Sequence, residues 1–219
     1  MVREGIAVPR TGGLVMSTKA SDGRRTFTDL ARRAQIAQCA AEAIADVGYA
    51  EASMAEIARR AGVAKSVVSY HFSDKEELIG EVLRTALATY AAFMEPRVAA
   101  AASAAGKLRA YVIGAASYVV QHHSLHVAVI EIGFNATSAD GRPLIATMPL
   151  RAPEPSVEDI LRQGQRDGEF REFDVGVVGG VVRSAITHAM VLRLREDPGA
   201  DLGAYAEELV RLFDLGVRR

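Results

Sequence analysis

Between Leu30 and Val47, apolar side chains return every three or four residues: Leu30, Ala34, Ala37, Ala41, Ile44 and Val47. That period lines one side of an α-helix. Thr28 or Asp29 can cap its start, and Gly48 ends it with Tyr49 folded back. Ser53 has Glu56 three residues on, a capping box opening a second, short helix at Met54. Ala58 is small enough for two helices to approach, and Gly62 supplies a left-handed backbone that reverses the chain. Ile57 and Val63 flank this turn; Val67, Val68 and Phe72 recur at helical spacing beyond it. Two short helices joined this way form a helix-turn-helix, whose second helix fits a DNA major groove. The same pattern also serves as a plain helix corner inside an all-helical core.

Further on, Ser73 with Glu76 marks the start of a long helix through Leu78, Val82, Ala86, Tyr90 and Phe93, which Pro96 stops after Glu95. Apolar helices are expected from Ser103 to about His122 and from about Leu125 to Asn135. Residues 136–155 are rich in Gly, Pro, Ser and Thr, with one short helix near Leu144. Ser156 to Gly168 is amphipathic, Val175 to Arg195 is a long helix, and Leu202 to Val217 closes the chain. No strand alternation stands out, so the fold class is all-α: a three-helix unit with the helix-turn-helix over residues 27–75 and a helical body over 76–219. Residues 1–26 lack periodicity and read as a mobile arm, in which Met16 offers a second start of translation. Arg24 and Arg25, at its end, either reach a minor groove or phosphate or are solvated charges.

Composition adds little beyond a globular body, but charge is unevenly placed. Residues 1–75 hold 11 basic and 8 acidic residues, and the remainder 15 and 19. A basic amino-terminal part on an acidic body suits one end facing phosphates. The single cysteine, Cys39, excludes an intrachain disulfide and fits a reducing cytoplasm. Its place on the first helix favours a small buried apolar role over a redox sensor. No signal peptide is seen, and Arg183, His188 and Arg193 interrupt the most apolar stretch, so no membrane span is expected.

The run from Leu30 to Leu83, with its core AAEAIADVGYAEASMAEIARRAGVAKSVVSYHFSDKEELIGEVL, resembles the DNA-binding domain of the tetracycline-repressor (TetR) family of transcription regulators. The matching pieces are the Gly48–Tyr49 end of the first helix, Ser53 opening the second, the IA..AGV turn, the YHF end of the recognition helix and the K..L opening of the fourth. The family often has Tyr where this chain has Ser69; Tyr70 stands next to it. The resemblance implies a homodimeric, ligand-responsive repressor that binds a pseudo-palindromic operator in double-stranded DNA, in the cytoplasm, with residues 27–75 as the DNA-binding domain and 76–219 as the helical ligand-binding and dimerisation domain.

On the second helix of the motif, Lys65, Ser66, Ser69, Tyr70 and His71 can each donate a hydrogen bond. Lys65 and Ser66 suit base edges and Val67 a thymine methyl, while Ser53, Ser69, Tyr70, His71 and Lys75 suit phosphates. The helix beginning at Lys75 would be the lever between reading head and body. The resemblance also implies an effector pocket walled by Tyr90, Phe93, Met94, Tyr111, Tyr118, His122, Phe134 and Asn135. It places the dimer interface on the helices 156–168 and 175–195, where Gly176, Gly179 and Gly180 let backbones approach and Val177, Val178, Val181, Val182, Ile186 and Val191 cover nearly every side.

Other chemistry is weaker. His122, His123 and His126 cluster near a helix break with Glu131 nearby, but no second motif completes a metal site, and neither metal nor cofactor is expected. No nucleophile elbow, phosphate loop or supported carboxylate pair is present; Glu158 and Asp159 are adjacent and read as solvated charges. A catalytic role is therefore not expected. The alternative to DNA binding is a small-molecule-binding helical protein that acts through protein partners.

Overall fold

The computed structural model describes residues 27–138, 140–148, 150 and 155–218. The expected arm, with Arg24 and Arg25, lies outside the described residues. Eleven α-helices are described: α1 Phe27–Glu51, α2 Met54–Arg60, α3 Lys65–His71, α4 Lys75–Ala99, α5 Ala104–Gln121, α6 His123–Asn135, α7 Leu144–Thr147, α8 Val157–Arg166, α9 Val175–Ser184, α10 Met190–Glu196 and α11 Leu202–Val217. Among the described residues only isolated bridges, Thr137–Pro143 and Phe170–Arg218, pair in the manner of strands. The all-α class holds.

Two apolar clusters organise the helices. The first joins Ile36, Ala40 and Ile44 of α1 to Ile57, Val68 and Phe72 of the motif and to Leu78, Ile79, Val82 and Leu83 of α4. It also takes in Leu125, Ala128 and Ile132 of α6 and Leu144 of α7. The second joins Met94 and Val98 of α4 to α5, α8, α9, α10 and α11 through Leu108, Val112, Ile160, Leu161, Val182, Met190 and Phe213. Helix α4 is the element common to both, its first half in one cluster and its last turns in the other.

The stripe expected on α1 is half right. Ala37, Ala41 and Ile44 are buried, but Leu30, Ala34 and Val47 face solvent while Arg33, Ile36, Ala40 and Ala43 turn inward. Packing on α1 by both α4 and α6 widens the buried arc of its middle, and its ends run past those neighbours. Cys39 is half-buried, and its thiol pKa is raised by burial and by the charge of Glu42. Gly48 sits at φ 83, where the helical φ/ψ are interrupted.

Several boundaries move. The cap of α4 is Asp74, which accepts from Glu77 N at 2.8 Å, not Ser73. Ser73 instead gives its N–H to the Glu77 carboxylate at 2.8 Å. Pro96 does not stop α4, which continues to Ala99. A proline inside the last turn removes one amide donor, and the carbonyls there have few helical partners to lose. Glu158 and Asp159 are not idle charges: Asp159 completes a reciprocal capping box with Ser156, and Glu158 pairs with Arg183. The single helix expected over 175–195 contains a π-helical turn, Ala185–Ala189, between α9 and α10. Val175–Glu196 taken together is long and apolar enough to cross a membrane by length and composition.

The GEFREFD stretch acts as a staple. Glu169 accepts from Ala104 N at 2.9 Å and Ala105 N at 3.0 Å, placing a carboxylate on the orphan amides at the start of α5. Phe170 beside it packs directly on Gly164 of α8.

Candidate nucleic-acid interface and effector cavity

The motif turn is built from local backbone bonds. Val63 N donates to Ala58 O at 3.0 Å, and Gly62 takes φ 66 between α2 and α3. Buried Ile57, Ala58 and Val68 pin the two helices to α1. With Val68 and Phe72 inward, Lys65, Ser66, Ser69 and Tyr70 are turned outward, and Val67 and His71 are half-buried at the margin. Tyr70 is 80% exposed, its ring edge-on to His71 at 5.1 Å. Burying a phenol ring would be favourable, so an aromatic left this open is available to a partner.

Ser53 caps α2, accepting from Glu56 N at 3.2 Å, and remains exposed with its own O–H to donate. Only half of the expected capping box forms. The Glu56 carboxylate goes to Arg59 Nη2 at 2.6 Å and Arg60 Nε at 2.8 Å, and these bonds hold its pKa down at about 2. Lys75 is half-buried: its ammonium donates to Tyr49 O at 2.5 Å and lies 4.2 Å above the Tyr49 ring. Burial lowers its pKa. One of its donors is therefore spent inside the chain, ahead of any phosphate.

Sequence reasoning missed Arg33. It reaches the far end of the recognition helix, donating to His71 O, and pairs with Glu77 at 3.0 Å and Glu81 at 3.3 Å. Its guanidinium lies 4.0 Å from the centre of the Phe72 ring. A cation three positions before Ile36, where the buried run of α1 begins, is the only sequence signal, and it names no partner.

In the body, a cavity of ≈ 220 Å³ lies between α4, α5, α6 and the π turn. Tyr90, Tyr111 and Tyr118 line it, together with Ala86, Leu87 and His126. Ala115, Val129, Ile130, Ile186, Thr187 and Arg183 complete its wall. Other residues expected there stand elsewhere. Phe93 and His122 form a second layer on Tyr118, with ring centroids 5.6 Å and 4.7 Å away. Met94 is buried against Gly114, and Phe134 and Asn135 face outward from the last turn of α6, Phe134 beside His188 and Asn135 bonded to Glu131 at 2.9 Å.

The cavity is mostly apolar with two polar edges. At one, Tyr90 and Tyr111 bring their phenols to the lining, and burial raises both pKa values. Tyr118 is pushed up to about 12 by burial, its hydroxyl 3.4 Å from Ala86 O. At the other edge, His126 Nε2 is 3.3 Å from Thr187 O in the π turn, and burial lowers its pKa to about 4. The π turn is thus tied to α6 through a carbonyl that irregular helix geometry leaves available. Among the described residues no three His, Cys, Asp or Glu converge as metal ligands.

The outer side of α9 and α10 leaves apolar side chains uncovered. Val177, Val181 and Leu192 are 65%, 55% and 56% exposed. With Gly180, Ser184 and His188 they line a shallow open trough. Helix α8 differs: Val157, Ile160 and Leu161 are spent inside the chain, and Asp159, Arg162 and Arg166 face out.

Residues 36–82, covering α2, α3 and the parts of α1 and α4 that brace them, match the family of bacterial regulatory proteins described as tetR family. Over this segment the chain carries a DNA-binding domain of the tetR family. Along most of its length it is 24% identical to the fatty acid metabolism regulator protein of Bacillus subtilis, over 84% of this chain and 94% of that protein. The TetR family transcriptional regulator PfmR from Thermus thermophilus superposes with a TM-score of 0.62 at 26% identity, covering 82% of this chain and 91% of that one. The transcriptional regulator FadR from Bacillus subtilis, solved in complex with stearoyl-CoA, shares the fold with a TM-score of 0.67 at 23% identity, covering 81% and 95%. The matched segment supplies most of the first apolar cluster, and the cavity lies where α4 joins the two clusters.

Proposed function

We propose that the chain is a cytoplasmic, homodimeric repressor that binds a pseudo-palindromic operator and releases it when a small apolar effector fills the cavity. The observation that carries this is the outward display of Lys65, Ser66, Ser69 and Tyr70 on a helix whose opposite side is locked by Val68 and Phe72. Lys65 and Ser66 read base edges, Val67 touches a thymine methyl, and Ser53, Tyr70 and His71 hold phosphates, with Lys75 assisting through its remaining donors. A pair of such helices fits successive major grooves when two chains meet through the trough on α9 and α10.

The cavity suits the effector role because Ala86, Leu87 and Tyr90 of its wall belong to α4, the helix that also braces the motif. A ligand that binds one position of α4 better than another shifts the spacing of the two reading helices. At ≈ 220 Å³ the cavity falls below the ~300–1,000 Å³ usual for drug-sized ligands, so it must widen to admit an acyl chain such as the one in the FadR complex. Selection of bound fragments from genomic DNA, followed by gel shift on the best fragment, tests the proposal. Enrichment of a two-fold symmetric site supports it; no enrichment above a salt-sensitive background contradicts it.

A further inference from the structure

Arg183 is the cation at the wall of this cavity, since burial keeps neighbouring His126 neutral near pH 7. Its guanidinium serves two directions. Toward α8 it pairs with the Glu158 carboxylate, whose side chain is only 17% exposed. Glu158 is held there by the absence of a side chain at position 179: a Cβ on Gly179 would stand 2.7 Å from its Oε1. Toward the cavity it shares the lining with the phenols of Tyr111 and Tyr90. Arg183 on α9, paired with Glu158 on α8, thus faces the same cavity as Tyr111 on α5 and Tyr90 on α4. All other cavity walls except His126 and Thr187 are aliphatic or aromatic.

We propose that the effector is an apolar molecule ending in a single carboxylate, and that its head group takes Arg183 from Glu158. This rests on the effector reading of the cavity. One guanidinium presents a planar fork that a carboxylate matches with two parallel bonds. A neutral head cannot compete with Glu158 for it, and a cationic head is repelled. The exchange leaves charge balanced at Arg183 and unties α8 from α9, because Glu158 loses its partner. Ligand entry is thereby coupled to the helices beside the outer trough as well as to α4.

Calorimetric titration of the full chain with octanoate, octan-1-ol and octylammonium tests this, in the wild type and in Glu158→Gln, Arg183→Gln and Ala115→Trp. Octanoate should bind at least tenfold more tightly than octan-1-ol. Glu158→Gln should strengthen octanoate several-fold and leave octan-1-ol unchanged, because Arg183 is then free. Arg183→Gln should erase the preference while octan-1-ol still binds. Equal binding of acid and alcohol by the wild type, or weaker octanoate binding by Glu158→Gln, overturns the head-group assignment and leaves the cavity reading standing. Undiminished binding by Ala115→Trp, whose indole fills the cavity, or no binding of any probe to the wild type, overturns both. Should Arg183→Gln fail to fold, the Glu158→Gln comparison decides alone.

Discussion

Arg33 Nη2 on α1 lies 3.0 Å from Glu77 Oε1 on α4, while Nη1 of the same side chain donates to the carbonyl of His71, the last residue of α3. One buried guanidinium therefore ties the end of the recognition helix to the start of the lever. The side chain is 5% exposed, whereas its carboxylate partners reach water. Replacing it leaves the acids partly solvated, so the cost should sit at the lower end for a broken buried pair, roughly 3 kcal/mol. Arg33→Met should lower the urea midpoint accordingly, and it should weaken DNA binding beyond what the population of folded protein explains. Denaturation and anisotropy titrations on one sample separate the two effects.

Helix α8 depends on Gly164. A methyl group there overlaps the Phe170 ring, and the ring is fully enclosed. Gly164→Ala should therefore destabilise despite the better helix propensity of alanine, by about 1–3 kcal/mol for an overpacked core. Thermal unfolding checks this; a Tm equal to or above that of the wild type would show that Phe170 can move aside at no cost.

The pKa of His126 is about 4 in the folded chain because burial disfavours its charge, with the charges of His123 and His188 adding to this. The unfolded imidazole has a pKa of about 6.5. Between these values the unfolded chain binds more protons, so stability falls as pH drops from about 6.5 to about 4 and is fully present above that window. His126→Gln should flatten this part of the pH–stability curve. Urea midpoints at pH 7.5 and 5.0 for both proteins measure it, and an equal drop in the two would remove His126 as its source.

The exposed apolar trough predicts an oligomeric consequence. Val181→Arg places a charge between Val177 and Leu192 on the outer side of α9, where the folded chain has room for it. Sedimentation should show a dimer for the wild type and a monomer of unchanged helicity for the variant. A variant that stays dimeric would move the interface elsewhere on the chain.

What could be foreseen from the residues alone depended on range. The turn at Gly62, the cap at Ser53 and the inward Val68 and Phe72 follow from neighbours within one helical turn, so the motif was readable. Helix periodicity also found α5, α6 and α11 to within a residue or two. It could not say which side of a helix meets the cavity. Tyr90, Tyr111 and Tyr118 line it, while Met94 packs on Gly114 and Phe134 turns outward, since each orientation is set by helices distant in sequence. Arg33, Glu169 and Arg183 were missed as structural ties for the same reason: their partners lie 25 to 65 residues away. The π turn leaves no mark in the apolar spacing, because one extra residue per turn keeps Ile186 and Met190 inward.

The central claim is that α3 reads DNA through its outward donors, and Lys65 tests it most directly. Binding of the selected operator should be measured by fluorescence anisotropy at several salt concentrations for the wild type and Lys65→Ala, with the dimer verified in both. Loss of one base-edge contact should cost about 1–3 kcal/mol, roughly five- to 150-fold in affinity, and relax the preference at one position of each half-site. Identical affinity and identical sequence preference at matched salt would contradict the account.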